Sequence, residues 1–113
     1  MASHITISPI SGPVTVTAGA TRIGQSDRAL ELREGSYPPV IYVPRDDVDM
    51  DKLEKTTRAT TCPWKGQASY YSVKAPDGLL ENAVWSYESP LPEMGAIAGH
   101  LAFYPDKVTV TRG

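Results

Sequence analysis

The segment Cys62-Pro63-Trp64-Lys65-Gly66 puts a thiol and an ammonium in one short turn, stiffened by its proline and able to reverse at its glycine. A cation beside a thiol favours the thiolate, the form that attacks electrophiles. The same lysine, together with the backbone N–H groups of a turn, suits an anion instead. A third reading is plainer: an isolated cysteine often packs as a small apolar side chain. The chain has one cysteine, so it cannot form a Cys-x-x-Cys redox pair, an intrachain disulfide or a cysteine-based zinc cage. His100 stands just before the run Leu101–Tyr104, where an imidazole serves as general base or as a partner for the backbone. Cys62 with His100 is therefore the sharpest enzymatic pairing in the sequence. His4 and His100 do not resemble a metal site, and neither a metal nor a cofactor is expected.

A second group is aromatic: Trp64, Tyr70, Tyr71, Trp85, Tyr87, Phe103 and Tyr104. Along a strand, neighbouring side chains point to opposite faces, so Tyr70 and Tyr71 separate while Trp85 and Tyr87 share a face. Part of the set belongs to a core, and part can wall a cleft, where a ring with a polar tip is useful. The expected ligand-binding residues are Trp64, Lys65, Tyr70, Trp85 and Tyr87.

The third group is acidic. Gly35-Ser36 followed by Asp47-Val48-Asp49 has the outline of a polymerase-β-like nucleotidyltransferase, in which Asp-x-Asp on a strand holds the metal of a nucleotide. Pro38, Pro39 and Pro44 exclude the helix that should follow Gly-Ser. The acidic run itself reads as a helix start, where residues two apart diverge.

These groups need elements to position them. Ile5 and Ile7, Val14 and Val16, and Leu30 and Leu32 alternate with polar residues, the pattern of strands with one wet face. Val40–Val43 reads as a short buried strand between prolines. Arg45–Lys55 reads as a short exposed helix, capped by Asp46 or Asp47. Thr56–Thr61 is β-branched and extended. Pro76-Asp77-Gly78 joins two β-rich runs as a hairpin, Pro92 opens a short helix to about Ala98, and Leu101–Tyr104 with Lys107–Arg112 reads as a last hairpin. The sum is α+β but mainly β: about eight short, mostly antiparallel strands in a curled or folded-over sheet with two short helices.

The 113 residues fit a single domain, 1–113. A formal charge of −2 argues against a general nucleic-acid binder. No apolar run approaches a membrane span, and no basic leader precedes an apolar stretch, so a cytoplasmic protein is expected.

Three blocks together resemble a known family: Tyr42 through Val48, Thr61 through Tyr71, and Trp85-Ser86-Tyr87 with Pro90 and Ile97 through Tyr104. They are similar to the domain-of-unknown-function family numbered 427, which is also filed under a nucleotidyltransferase-type label. The resemblance runs from about Ala29 to Val110. It implies a compact, mainly β domain and supplies no reaction and no catalytic residues. The resulting expectation is a small-molecule site around the Cys62–Gly66 turn, Tyr70, Trp85 and His100, with an anion as the ligand Lys65 would suit. The alternatives are an enzyme using Cys62 and His100, a nucleotidyltransferase-like activity using Asp47 and Asp49, and an interaction module such as a homodimer.

Overall fold

The computed structural model describes residues 4–113. Ten strands run in chain order: β1 (Ile5–Pro9), β2 (Val14–Ala18), β3 (Thr21–Ser26), β4 (Leu30–Glu34), β5 (Val40–Tyr42), β6 (Leu53–Cys62), β7 (Gly66–Ala75), β8 (Gly78–Ser86), β9 (Ala102–Phe103) and β10 (Thr109–Arg112). Alternation explains them locally. Val14, Val16 and Ala18 of β2 are buried while Thr15 and Thr17 stay half-exposed. The hairpin at Pro76-Asp77 closes with Ala75 opposite Gly78, joining β7 to β8.

The strands form three antiparallel sheets, ordered β1-β4-β5, β10-β2-β3 and β6-β7-β8-β9. Two isolated backbone bridges add to the sheets, one joining two of them and one holding the Arg45–Asp49 segment against β3. Val43 and Leu101 exchange hydrogen bonds of 2.9 and 2.8 Å between the end of β5 and the start of β9. Gly24 of β3 bridges Val48. The apolar interior divides in two. One cluster gathers Val14, Val16, Ile23, Val43, Leu101 and Phe103. The other gathers Leu32, Tyr42, Tyr70, Tyr87, Ile97 and Ala102. Short strands let neighbours serve both: Ile41 packs on the first cluster and Val40 on the second, and Phe103 and Tyr104 divide the same way.

Three expectations are corrected. Arg45–Lys55 is not one helix but two single 3-10 turns, Arg45–Asp47 and Met50–Lys52, with Lys55 already inside β6. Between the turns Val48 is extended and buried against β3, and the Asp49 N–H donates to the Ile23 carbonyl at 2.8 Å. Pairing with β3 takes the backbone groups that a helix would have used. The helix opened by Pro92 is likewise a 3-10 element, Pro92–Ile97, broken at Met94. Finally, β9 and β10 do not form a hairpin. β9 pairs with β8, and β10 pairs with β2, with Val110 opposite Val16. Alternation marks a strand but does not name its partner.

Candidate functional site

The turn between β6 and β7 sets the first wall. Cys62 pairs with Gly66, whose φ of +111° is open to glycine and costly for other residues. The Lys65 carbonyl accepts from the Leu91 N–H at 3.0 Å, which pins the turn to the Pro90–Leu91 segment. Lys65 is thereby turned inward and is only 8% exposed. Its Nζ donates to Glu34 Oε1 at 2.7 Å and lies 5.9 Å from the centre of the Tyr87 ring. The Lys65 hydrogen bond holds the Glu34 carboxyl below the usual carboxylate range, against the opposing effect of burial. Trp64 is exposed and packs edge-to-face on His4, with ring centres 4.9 Å apart.

The aromatic wall comes from three strands and the residue after β9. Tyr70 and Trp85 are cross-strand partners in β7 and β8. The Trp85 indole N–H donates to the Tyr42 hydroxyl at 3.3 Å, and Tyr104 packs on the same indole with ring centres 4.6 Å apart. Burial pushes the Tyr42 phenol up to about 12. Burial, with the hydrogen bond to Tyr70, raises Tyr104 to about 12 as well. Both therefore stay neutral near physiological pH. Tyr70 moves down instead: burial opposes the shift, but hydrogen bonds with Thr60, Tyr104 and Arg58 outweigh it.

Cys62, Lys65, Glu34 and Trp85 line a cleft of about 670 Å³ together with Tyr37–Ile41, Phe103 and Val110. A recess of about 250 Å³ shares Glu34, Lys65 and Trp85 and is walled by Tyr42, Tyr70, Tyr87 and Tyr104. The cleft thus sits where the two apolar clusters meet, drawing Ile41 and Phe103 from one and Val40 and Trp85 from the other. Of the expected residues, Cys62, Lys65, Tyr70, Trp85 and Tyr87 surround this concavity, while Trp64 and His100 are not in its lining. His100 is half-buried, with Nδ1 at 3.2 Å from the Ala98 carbonyl. Sequence reasoning misses Glu34, Tyr37 and Tyr42. The one local hint is Tyr37-Pro38-Pro39, an aromatic fixed beside two stiff residues.

Two other polar clusters are consumed by the fold. Glu88 accepts hydrogen bonds from the Tyr71 hydroxyl, from Arg45 at 3.0 Å and from Lys55 at 3.0 Å. Burial would raise its pKa, but the hydrogen bonds from Tyr71, Lys55 and Ser69 dominate and lower it to about 2. Glu88 therefore contributes stability that is complete above its unfolded value, near 4.5, and is lost as the pH falls through about 2. With the carboxylate 30% exposed, screening reduces the expected contribution to roughly 2 kcal/mol. Urea unfolding near pH 6 and near pH 2 should show wild type losing about that much more than Glu88→Gln. Equal losses in the two proteins would remove Glu88 as an acid-sensitive support.

Asp47 accepts from Ser26 Oγ at 2.6 Å and from Arg28 at 3.1 Å. Asp49 accepts from Lys52 at 2.6 Å and caps the second 3-10 turn through the Asp51 N–H. Both carboxylates are spoken for within the fold. Among the described residues, no three His, Cys, Asp or Glu side chains are grouped to hold a metal ion. No described helix is long and apolar enough to cross a membrane.

Fold and site together define a mainly β protein of three antiparallel sheets with an aromatic cleft at the junction of its two cores. The family model described as Domain of unknown function (DUF427), which bears the name NTP_transf_9, matches residues 6–112, and the chain belongs to that family. No match was found among curated proteins.

Proposed function

We propose that the cleft binds a small planar molecule whose flat face packs on Trp85 and whose polar edge meets the Glu34–Lys65 pair. The observation that carries this reading is the convergence of Trp85, Cys62 and the ion pair of buried Lys65 with half-buried Glu34 on one cleft of about 670 Å³. That volume is typical of small-ligand sites, which combine apolar walls with a few placed polar groups. Trp85 is braced by Tyr42 and Tyr104, so its face needs little ordering on binding. Glu34 already answers the charge of Lys65. The pair therefore offers a donor and an acceptor side by side, which suits the N–H edge of a ring such as indole and leaves the ring's other substituents to neighbouring groups.

The two tryptophans give a direct test. Titrating indole-3-carboxamide into labelled protein should move the Trp85 indole N–H resonance saturably and leave that of Trp64 in place. Trp85→Phe should weaken binding about tenfold, the loss of most of a ring-stacking contact. No saturable shift with this probe or with other planar bicyclic amides, or a shift centred on Trp64, would overturn the assignment of the cleft as a binding site.

A further inference from the structure

We propose that Arg58 reads a carboxylate or phosphate on the ligand of this cleft, so that the natural ligand is a planar molecule carrying an anionic group. This rests on the binding role proposed above and adds the charge of the ligand. The argument begins with strand register. Lys55 pairs with Tyr71 and Ala59 with Ser69, so Thr56, Thr57 and Arg58 of β6 stand opposite Tyr70 alone. The neighbouring ladder breaks in the same region, between Tyr71 and Val73 of β7, where β8 carries Asn82 at φ +50°. The two irregularities brace each other. Thr56 Oγ1 bonds Asn82 Oδ1 at 2.7 Å and accepts the Arg58 N–H at 3.3 Å, and the Asn82 N–H donates to Ser72 Oγ at 3.1 Å. Bulges re-aim side chains, and this one lays the Arg58 guanidinium over the Tyr70 ring, 5.0 Å from its centre.

Tyr70 walls the recess beside Lys65, and Tyr104 belongs both to that recess and to the depression of about 390 Å³ that Arg58 lines. Arg58 thus lines neither the cleft nor the recess but lies beyond Tyr70 and Tyr104, where a group projecting from the ligand past Tyr104 would meet it. Its charge is also free for a ligand. Arg28, Arg33, Arg45, Lys52, Lys55, Lys65 and Arg112 each pair with a carboxylate, whereas Arg58 makes no such pair among the described residues. Glu81 and Asp106 line the same depression and Lys107 and Arg58 balance them, so the local field is near neutral. Preference for an anion would come from the directed fork of the guanidinium. Held by Tyr70 through its ring and one hydrogen bond, the guanidinium still has other N–H groups among its five donors for two parallel hydrogen bonds.

Indole-3-carboxylate and indole-3-carboxamide, nearly equal in shape, separate charge from packing. In wild type the carboxylate should bind about tenfold tighter, with an advantage that shrinks as salt rises. Arg58→Gln should bring the carboxylate to the level of the carboxamide and leave the carboxamide within about twofold. Arg58→Lys should keep part of the preference. Lys74→Gln, which removes an exposed cation outside the cleft lining, should change neither. Equal binding of the two probes in wild type would overturn the role of Arg58 and leave the cleft assignment standing. The same holds for a preference that survives Arg58→Gln and disappears in Lys65→Met. Failure of both probes to bind would overturn the cleft assignment and the role of Arg58 together.

Discussion

Glu34→Ala should lower stability by about 3 kcal/mol, the low end of the cost of stripping the partner from a buried charge. Lys65 cannot move out to water cheaply. Its carbonyl is bonded to Leu91, its side chain is 10% exposed, and Gly66 fixes the turn behind it. With Glu34 gone, the ammonium keeps, among the described residues, the Tyr87 ring 5.9 Å away as electrostatic compensation. For a chain of this size the loss corresponds to a fall of roughly 12 °C in melting temperature. Lys65→Met removes the charge and retains the apolar stem, so the Glu34→Ala/Lys65→Met double variant should recover at least half of the loss. Denaturant unfolding of the four proteins gives the coupling directly. Additive single effects would mean that the ammonium reaches water, and that the cleft does not hold a desolvated pair.

Gly24→Ala should cost about 2 kcal/mol although it adds one methyl group. A Cβ on Gly24 would stand 2.8 Å from the Asp47 carbonyl oxygen and 3.2 Å from the Val48 Cα, both backbone atoms that cannot rotate aside. Relief requires the Arg45–Asp49 segment to move off β3, weakening the Asp49–Ile23 hydrogen bond and the Ser26–Asp47 contact. The smaller entropy of the unfolded alanine chain returns at most about 1 kcal/mol. Gly95→Ala is the matched control: its Cβ would meet nothing within 4 Å, so it should be neutral or slightly stabilising. Equal stability of the two variants would show that the Arg45–Asp49 segment is not held against β3.

What the sequence makes legible here is local. Val14 and Val16, Leu30 and Leu32, and the Pro76-Asp77-Gly78 turn announce strands because alternation and turn chemistry act over a few residues. The Cys62–Gly66 turn and the aromatic blocks around it are visible for the same reason. Partnerships across the chain are not. Glu34 meets Lys65 across 31 positions, and no spacing rule connects a carboxylate at the end of one strand to a lysine in a distant turn. Val48 reads as helical until Gly24 offers it a place against β3. Arg58 looks like a surface arginine in a Thr-rich strand, and only the register break opposite Tyr70 gives it a direction.

The seating of β10 on β2 also bears on how the chain reaches this structure. Arg112 bonds the Glu31 carboxylate across 81 positions, and Val110 lies opposite Val16. The sheet that carries Val14 and Val16 is complete only when these remote segments have found each other. Loop closure must precede most of the compensating burial, so the folding barrier is expected to be largely entropic, with refolding in the millisecond-to-second range of topologies dominated by non-local strands.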